Sequence, residues 1–126
     1  MKKIINTEIA PAPIGPYNQA VLAGGFLYVS GQIPLDAATG QIIEGDITNE
    51  TAMVMKNIGY ILQEAGFDYS HIVKSTIFLS DMELFTDVNA VYGEYFTDAA
   101  PARETVAVKG LPKNVRVEIS VIAYKG

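Results

Sequence analysis

Apolar residues at Val54, Ile58, Ile61, Leu62 and Ala65 recur at spacings of three and four, which gathers them on one stripe of a helix. That helix is expected to start near Asp46 or Thr48, either of which can cap it, with Glu50 favourable in the first turn. Gly66 stops it as a left-handed cap. Gly59 inside it costs about 1 kcal/mol relative to Ala, which points to close packing against a sheet. A second stripe, Leu84, Val88, Val91, Tyr92, Tyr95 and Phe96, follows the capping box Ser80-Asp81-Met82-Glu83. Between the two helices, Ile72 to Leu79 (IVKSTIFL) is rich in β-branched residues and reads as a strand.

Alternation marks the other strands. Lys3 to Ile5 is short. Gln19 to Ala23 and Phe26 to Ile33 flank Gly24-Gly25, a two-residue hairpin turn. In the second of these, Phe26, Tyr28 and Ser30 share one face while Leu27, Val29 and Gly31 share the other. The last two strands are Arg103 to Lys109 and Val115 to Tyr124, joined by a Gly/Pro/Asn turn as a hairpin. With Val108 opposite Val115, Thr105 faces Glu118 and Arg103 lies on the same face; a one-residue slip separates them.

Ile9 to Tyr17 (IAPAPIGPY) holds three prolines and a glycine, a braced loop presenting Tyr17. Pro34 to Gly45 is turn-rich around Thr39-Gly40, with two short edge strands at most, and reads as surface decoration. About six strands and two helices, with a strand between the helices, describe an α+β sandwich of two layers. Two helices cover one sheet face only. On the last strand Val115, Val117, Ile119, Val121 and Ala123 form an apolar face, and Arg116, Glu118, Ser120, Ile122 and Tyr124 a mixed one. A mixed face on a central strand points to burial against other subunits.

Composition narrows the function classes. The 126 residues form a single domain, 1–126. At 49% hydrophobic, 18% charged and mean hydropathy +0.21, the chain is oily for a free-standing monomer. A net charge of −5, with no basic cluster beyond Lys2-Lys3, argues against nucleic acid as a partner. With no cysteine and one histidine, disulfides, thiol nucleophiles and His/Cys zinc sets are excluded. Ile4-Ile5 is too short for a signal-peptide core and no stretch approaches a membrane span, so a soluble cytoplasmic protein is expected.

The candidate chemistry sits between Pro101 and Glu118 (PARETVAVKGLPKNVRVE). Arg103, braced by Pro101-Ala102, can offer two parallel hydrogen bonds to a carboxylate, although a surface ion pair is the commoner fate of an isolated arginine. Glu118 sits mid-strand, where a carboxylate is expensive unless paired or exposed. Pairing with Arg103 or Arg116 at a subunit contact weighs equally with catalysis. Tyr17 is a hydroxyl donor or a loop anchor; Ser30, lacking a histidine base, suits a ligand hydrogen bond. Gly31 permits close backbone approach or marks a bulge, Asn89 lies near the second helix's stripe, and His71 has no assigned role. Together these residues support a pocket for a small carboxylate with one acid/base group.

Several spaced motifs, GPYNQA at Gly15–Ala20, VSGQIPLD at Val29–Asp36, NxxxxLxxAG at Asn57–Gly66, VKSTIFLSDM at Val73–Met82, VNAVYGEYF at Val88–Phe96 and PAR with its downstream VEI, span nearly the whole chain. In these the sequence resembles the Rid (reactive intermediate deaminase) family, also called the YjgF family, and most of all its imine deaminases. The resemblance implies a chorismate-mutase-like α+β fold, a barrel-like homotrimer, and sites in clefts between subunits. It further implies hydrolysis of enamines and imines such as 2-aminoacrylate and 2-iminobutyrate to the keto acid and ammonia, without cofactor or metal. Arg103 matches the family's carboxylate-gripping arginine and Glu118 the glutamate that positions water. Tyr17, Ser30, Gly31 and Asn89 match pocket-lining positions, with the backbone around Thr105 contacting substrate.

Two departures stand out: Glu104, where a small residue is usual, and Asn18, where serine is frequent. A carboxylate beside the arginine is expected to favour less anionic ligands. The competing expectation is a trimeric keto-acid sensor without turnover. A third, ribonuclease activity, is opposed by the acidic charge.

Overall fold

The computed structural model describes residues 1–126. Its strands are β1 (Lys3–Ile5), β2 (Ala20–Ala23), β3 (Phe26–Gln32), β4 (Leu35–Asp36), β5 (Gln41–Ile42), β6 (Ile72–Leu79), β7 (Ala102–Ala107) and β8 (Val117–Tyr124). Its helices are α1 (Ile47–Glu64) and α2 (Phe85–Gly93). Six strands form one mixed sheet in the order β1-β2-β3-β8-β6-β7, and β4 and β5 pair separately. Both helices lie on one face, so the expected α+β two-layer architecture is what the chain adopts. No helix is long and apolar enough to cross a membrane.

The α1 stripe behaves as its spacing dictates: Val54, Ile58, Ile61 and Leu62 are fully buried, and the Asp46 carboxylate caps the helix by accepting from the Thr48 N–H at 2.9 Å. Glu50 does more than complement the helix dipole. It is buried and ion-paired with Arg116, whose guanidinium also donates to the Gly45 carbonyl. Gly59 faces Tyr69 rather than the sheet. A Cβ there would stand 2.3 Å from the Tyr69 hydroxyl, which donates to the Met55 carbonyl at 2.6 Å. The second helix is shorter than its stripe implies at both ends: the Asp81 cap opens a 3₁₀ turn over Met82–Leu84 before α2 begins, and α2 ends at Gly93, ahead of Tyr95 and Phe96.

The expected β7–β8 hairpin does not form. β7 pairs parallel with β6, matching Ser75 to Arg103 and Phe78 to Val106. β8 is antiparallel to both β6 and β3 and lies between them. The reason is the helix: a strand, a helix and a strand in succession return the chain parallel to its start, which places β7 on the outer side of β6. The segment joining β7 to β8 runs from residue 108 to 116, well beyond a tight hairpin turn.

The face of the sheet away from the helices is uncovered. Tyr28, Val106 and Tyr124 are 47%, 44% and 43% exposed there, beside Phe26 and Val73. Lys74 and Glu104 form an ion pair on this face at 3.1 Å. The carboxylate at position 104 is thus held by a lysine and turned away from the arginine next to it in sequence.

Candidate functional site

Two clusters carry the candidate residues, one on each face of the sheet. On the open face, Glu118 of β8 lies opposite Phe78 of β6. Its carboxyl reaches a cleft of about 370 Å³ that Pro11, Ile14 and Tyr17 from the proline loop, Gly31 from β3, and Lys113 also line. Glu118 has no ion-pair partner in the chain. Arg116 is committed to Glu50, and burial raises the Glu118 carboxyl above its ordinary value of 4.5. A carboxylate raised by desolvation alone accepts a proton more readily, as general-base work at neutral pH requires.

The proline loop is held by one buried side chain. Gln19 Nε2 donates to the carbonyls of Thr7, Ala10 and Pro11 at 3.0, 3.2 and 2.8 Å, and its Oε1 accepts from the Thr7 N–H at 2.7 Å. The far wall is held by Asn57, fully buried in α1. Its Nδ2 donates to the carbonyls of Ile33 (3.2 Å) and Leu35 (2.9 Å), two cleft residues. The 34–45 segment is therefore part of the site as well as surface. Tyr17 is half exposed, and its hydroxyl accepts from the Ile14 N–H at 3.3 Å. Ser30 donates its hydroxyl to the Asn18 carbonyl at 2.6 Å, tying β3 to the segment before β2.

The β3–β8 pairing carries an irregularity at this point. Val29 matches Val121 and Gln32 matches Ile119, so three steps along β3 oppose two along β8. This bulge at Ser30-Gly31 puts Gly31 beside Glu118 on the open face, contrary to the unbroken alternation that would bury it with Val29.

Arg103 is on the other face, because its partner in β6 is Ser75, which is fully buried under the helices. Its guanidinium lies 5.6 Å from the Phe85 ring centre and 5.3 Å from that of Tyr92, and donates to Asn89 Oδ1. Tyr92 donates its hydroxyl to Ser75 Oγ at 2.9 Å, which fixes the ring under the arginine. Asn89 thus holds Arg103, and Arg103 keeps the rest of its fork without an ion-pair partner in the chain. Thr105, two residues along, has a buried Oγ1 with no hydrogen-bond partner. It does not face Glu118.

Arg103 and Glu118 are three residues out of step and two strands apart across β6. At about 3.3 Å per residue and 4.8 Å per strand, their backbones are roughly 14 Å apart, with side chains on opposite faces. No three- or four-carbon acid touches both within one chain. Sequence reasoning missed Gln19, Asn57 and the Phe85/Tyr92 pair. Asn57 did carry a signal, a polar residue inside the buried stripe between Val54 and Ile61.

A one-sided α+β domain thus carries an unpaired, half-buried carboxylate in a cleft on one face and an arginine against two aromatic rings on the other. No group of three His, Asp or Glu side chains converges. The family model described as Endoribonuclease L-PSP matches residues 7–125, and the chain belongs to that family, the Rid or YjgF family. It is 51% identical over 125 residues to a RutC family protein of Pyrococcus horikoshii, covering 99% of each chain. It is 47% identical over 126 residues to a 2-iminobutanoate/2-iminopropanoate deaminase of Bos taurus, covering all of this chain and 92% of that one. A solved Rid-family protein of unknown function from Yersinia pestis superposes with a TM-score of 0.97 at 46% identity, covering 99% of this chain and all of the other.

Proposed function

We propose that this protein is a hydrolytic deaminase of small 2-imino acids and their enamine tautomers, of the 2-aminoacrylate and 2-iminobutyrate type, releasing the 2-keto acid and ammonia. The observation that carries this reading is Glu118, an unpaired carboxyl with raised proton affinity in a cleft sized for a small ligand. Family membership and the named deaminase relative support it.

The opposite-face placement of Arg103 and Glu118 supports a site that a second copy completes. The uncovered apolar face supports such an assembly, which we take to be a homotrimer with a site between each pair of neighbours. Arg103 of one subunit holds the substrate carboxylate through two parallel hydrogen bonds. Glu118 of the next positions a water and takes its proton as the oxygen attacks the electrophilic imine carbon. Glu118 then returns its proton to the nitrogen of the tetrahedral aminoalcohol, the C–N bond breaks as the carbonyl forms, and the hydroxyl proton leaves with the ammonia as ammonium. Enamines enter by protonation at the terminal carbon. Tyr17, Ser30, Gly31, Asn89 and the strand around Thr105 shape this site, and no metal or covalent adduct takes part.

Imines generated by a PLP-dependent dehydratase test the reading through the rate of keto-acid release. Arg103→Ala, which removes one partner of a charge-assisted pair at a cost of about 2–5 kcal/mol, should slow turnover about 30- to 5,000-fold in a protein that still assembles. No acceleration by the wild type across several imino acids refutes it. A keto-acid sensor is separated by Glu118→Gln, which leaves 2-ketobutyrate binding intact in either case but removes turnover only from an enzyme.

A further inference from the structure

Gly31 is a glycine whose backbone conformation does not require one. Gly31 is outside the left-handed region that Gly24 and Gly25 occupy at φ of +58° and +86°. Nor does a bulge of this kind need a glycine in an ordinary conformation. What it lacks is room: a Cβ on Gly31 would stand 2.3 Å from Glu118 Oε2, 2.8 Å from Cδ and 3.0 Å from Cγ. Real Cβ contacts are never this short, so any side chain at 31 displaces the end of Glu118.

We propose that Gly31 is a positioning residue for Glu118: the bulge and the missing side chain together make a slot in which the carboxyl lies against the strand backbone, aimed into the cleft. This deepens the proposed deaminase site and rests on it for its catalytic consequence, though the slot itself is a matter of geometry. The bulge supplies the first half, because it brings position 31 onto the face of Glu118. Ser30 supports it by bonding through its hydroxyl to the Asn18 carbonyl and through its N–H to the Gln19 carbonyl at 2.9 Å. The neighbouring titratable groups are Tyr17 and Lys113 in the cleft, with Lys74 and Glu104 paired to each other farther along the face; in the proposed assembly Arg103 of the neighbouring subunit joins them, in wild type and variant alike. Burial alone accounts for the raised carboxyl, so a displaced carboxyl that gains water should titrate nearer its ordinary value.

The test follows the Glu118 carboxyl directly by NMR in protein labelled with ¹³C at glutamate Cδ, the resonance being assigned by its loss in Glu118→Gln. In the wild type its midpoint should lie above 4.5. In Gly31→Ala it should move down towards that value, with kcat falling on the order of 10- to 100-fold and KM changing less, as expected for a displaced acid/base group. Gly31→Ala/Glu118→Asp, which returns about one methylene of space, should recover part of the turnover. An unchanged Glu118 midpoint in Gly31→Ala overturns the proposal. If Gly31→Ala fails to fold, Gly31→Ala/Glu118→Ala should restore folding, and failure to restore it also overturns the proposal. Because the titration does not involve an imine, a wild type without deaminase activity would remove the proposed function and leave the slot measurable.

Discussion

Replacing Asn57 with alanine isolates one side chain that connects the core to the cleft. Its Nδ2 serves two carbonyls, those of Ile33 and Leu35, from a position with no solvent exposure. Losing both bonds removes about 1 kcal/mol each, and the void left behind adds up to about 1 kcal/mol. Against this, Asn57 Oδ1 is buried without a partner, and its removal relieves about 1 kcal/mol. The net expectation is a destabilisation of about 2 kcal/mol. Asn57→Asp sharpens the test: it keeps the shape but points carboxylate oxygens at two carbonyls, so it should be worse than alanine by about 2 kcal/mol or more. Urea unfolding at one fixed protein concentration reads both, and the alanine variant should lose roughly 1 M in midpoint. Wild-type stability in Asn57→Ala, or an aspartate variant as stable as the alanine one, would refute the account of the cleft wall.

Gly59→Ala sets two effects against each other: helix propensity favours alanine by about 1 kcal/mol, while the new Cβ displaces Tyr69 from its bond to Met55 and its contact with Tyr95. The clash should win by about 1 kcal/mol in thermal or urea unfolding, and the penalty should shrink in a Tyr69→Phe background; a stabilised Gly59→Ala sinks the argument. Gln19→Leu removes the carboxamide that holds residues 7 to 11. Amide hydrogen exchange across the proline loop should rise at least tenfold while the α1 core stays protected, and equal loop protection in the wild type and the variant counts against this role.

Much of the fold was legible because burial leaves a period. The α1 and β8 patterns name the buried residues almost one by one, and the mixed character of Glu118, Ser120, Ile122 and Tyr124 correctly marked a sheet face without helices. Strand order was not legible in the same way. Both a hairpin and a crossover are compatible with the alternation of β7 and β8, and only the helix between β6 and β7 decides. The same ambiguity misplaced Arg103, whose face depends on which neighbour it pairs with. For Gly31 the bulge was one of the two readings open in the sequence, and only its face was misassigned, because a bulge changes the face of a residue without changing its sequence pattern. Gln19 and Asn57 act through backbone carbonyls distant in sequence, which no local pattern encodes.

The opposite-face placement of Arg103 and Glu118 gives the assembly a genetic character. Under the proposed reading, a subunit lacking the arginine and a subunit lacking the glutamate are each inactive alone, yet a mixed assembly contains a contact where an intact arginine meets an intact glutamate. Inactivity is then recessive between the two lesions, and the unit on which selection acts is the boundary between subunits rather than the chain.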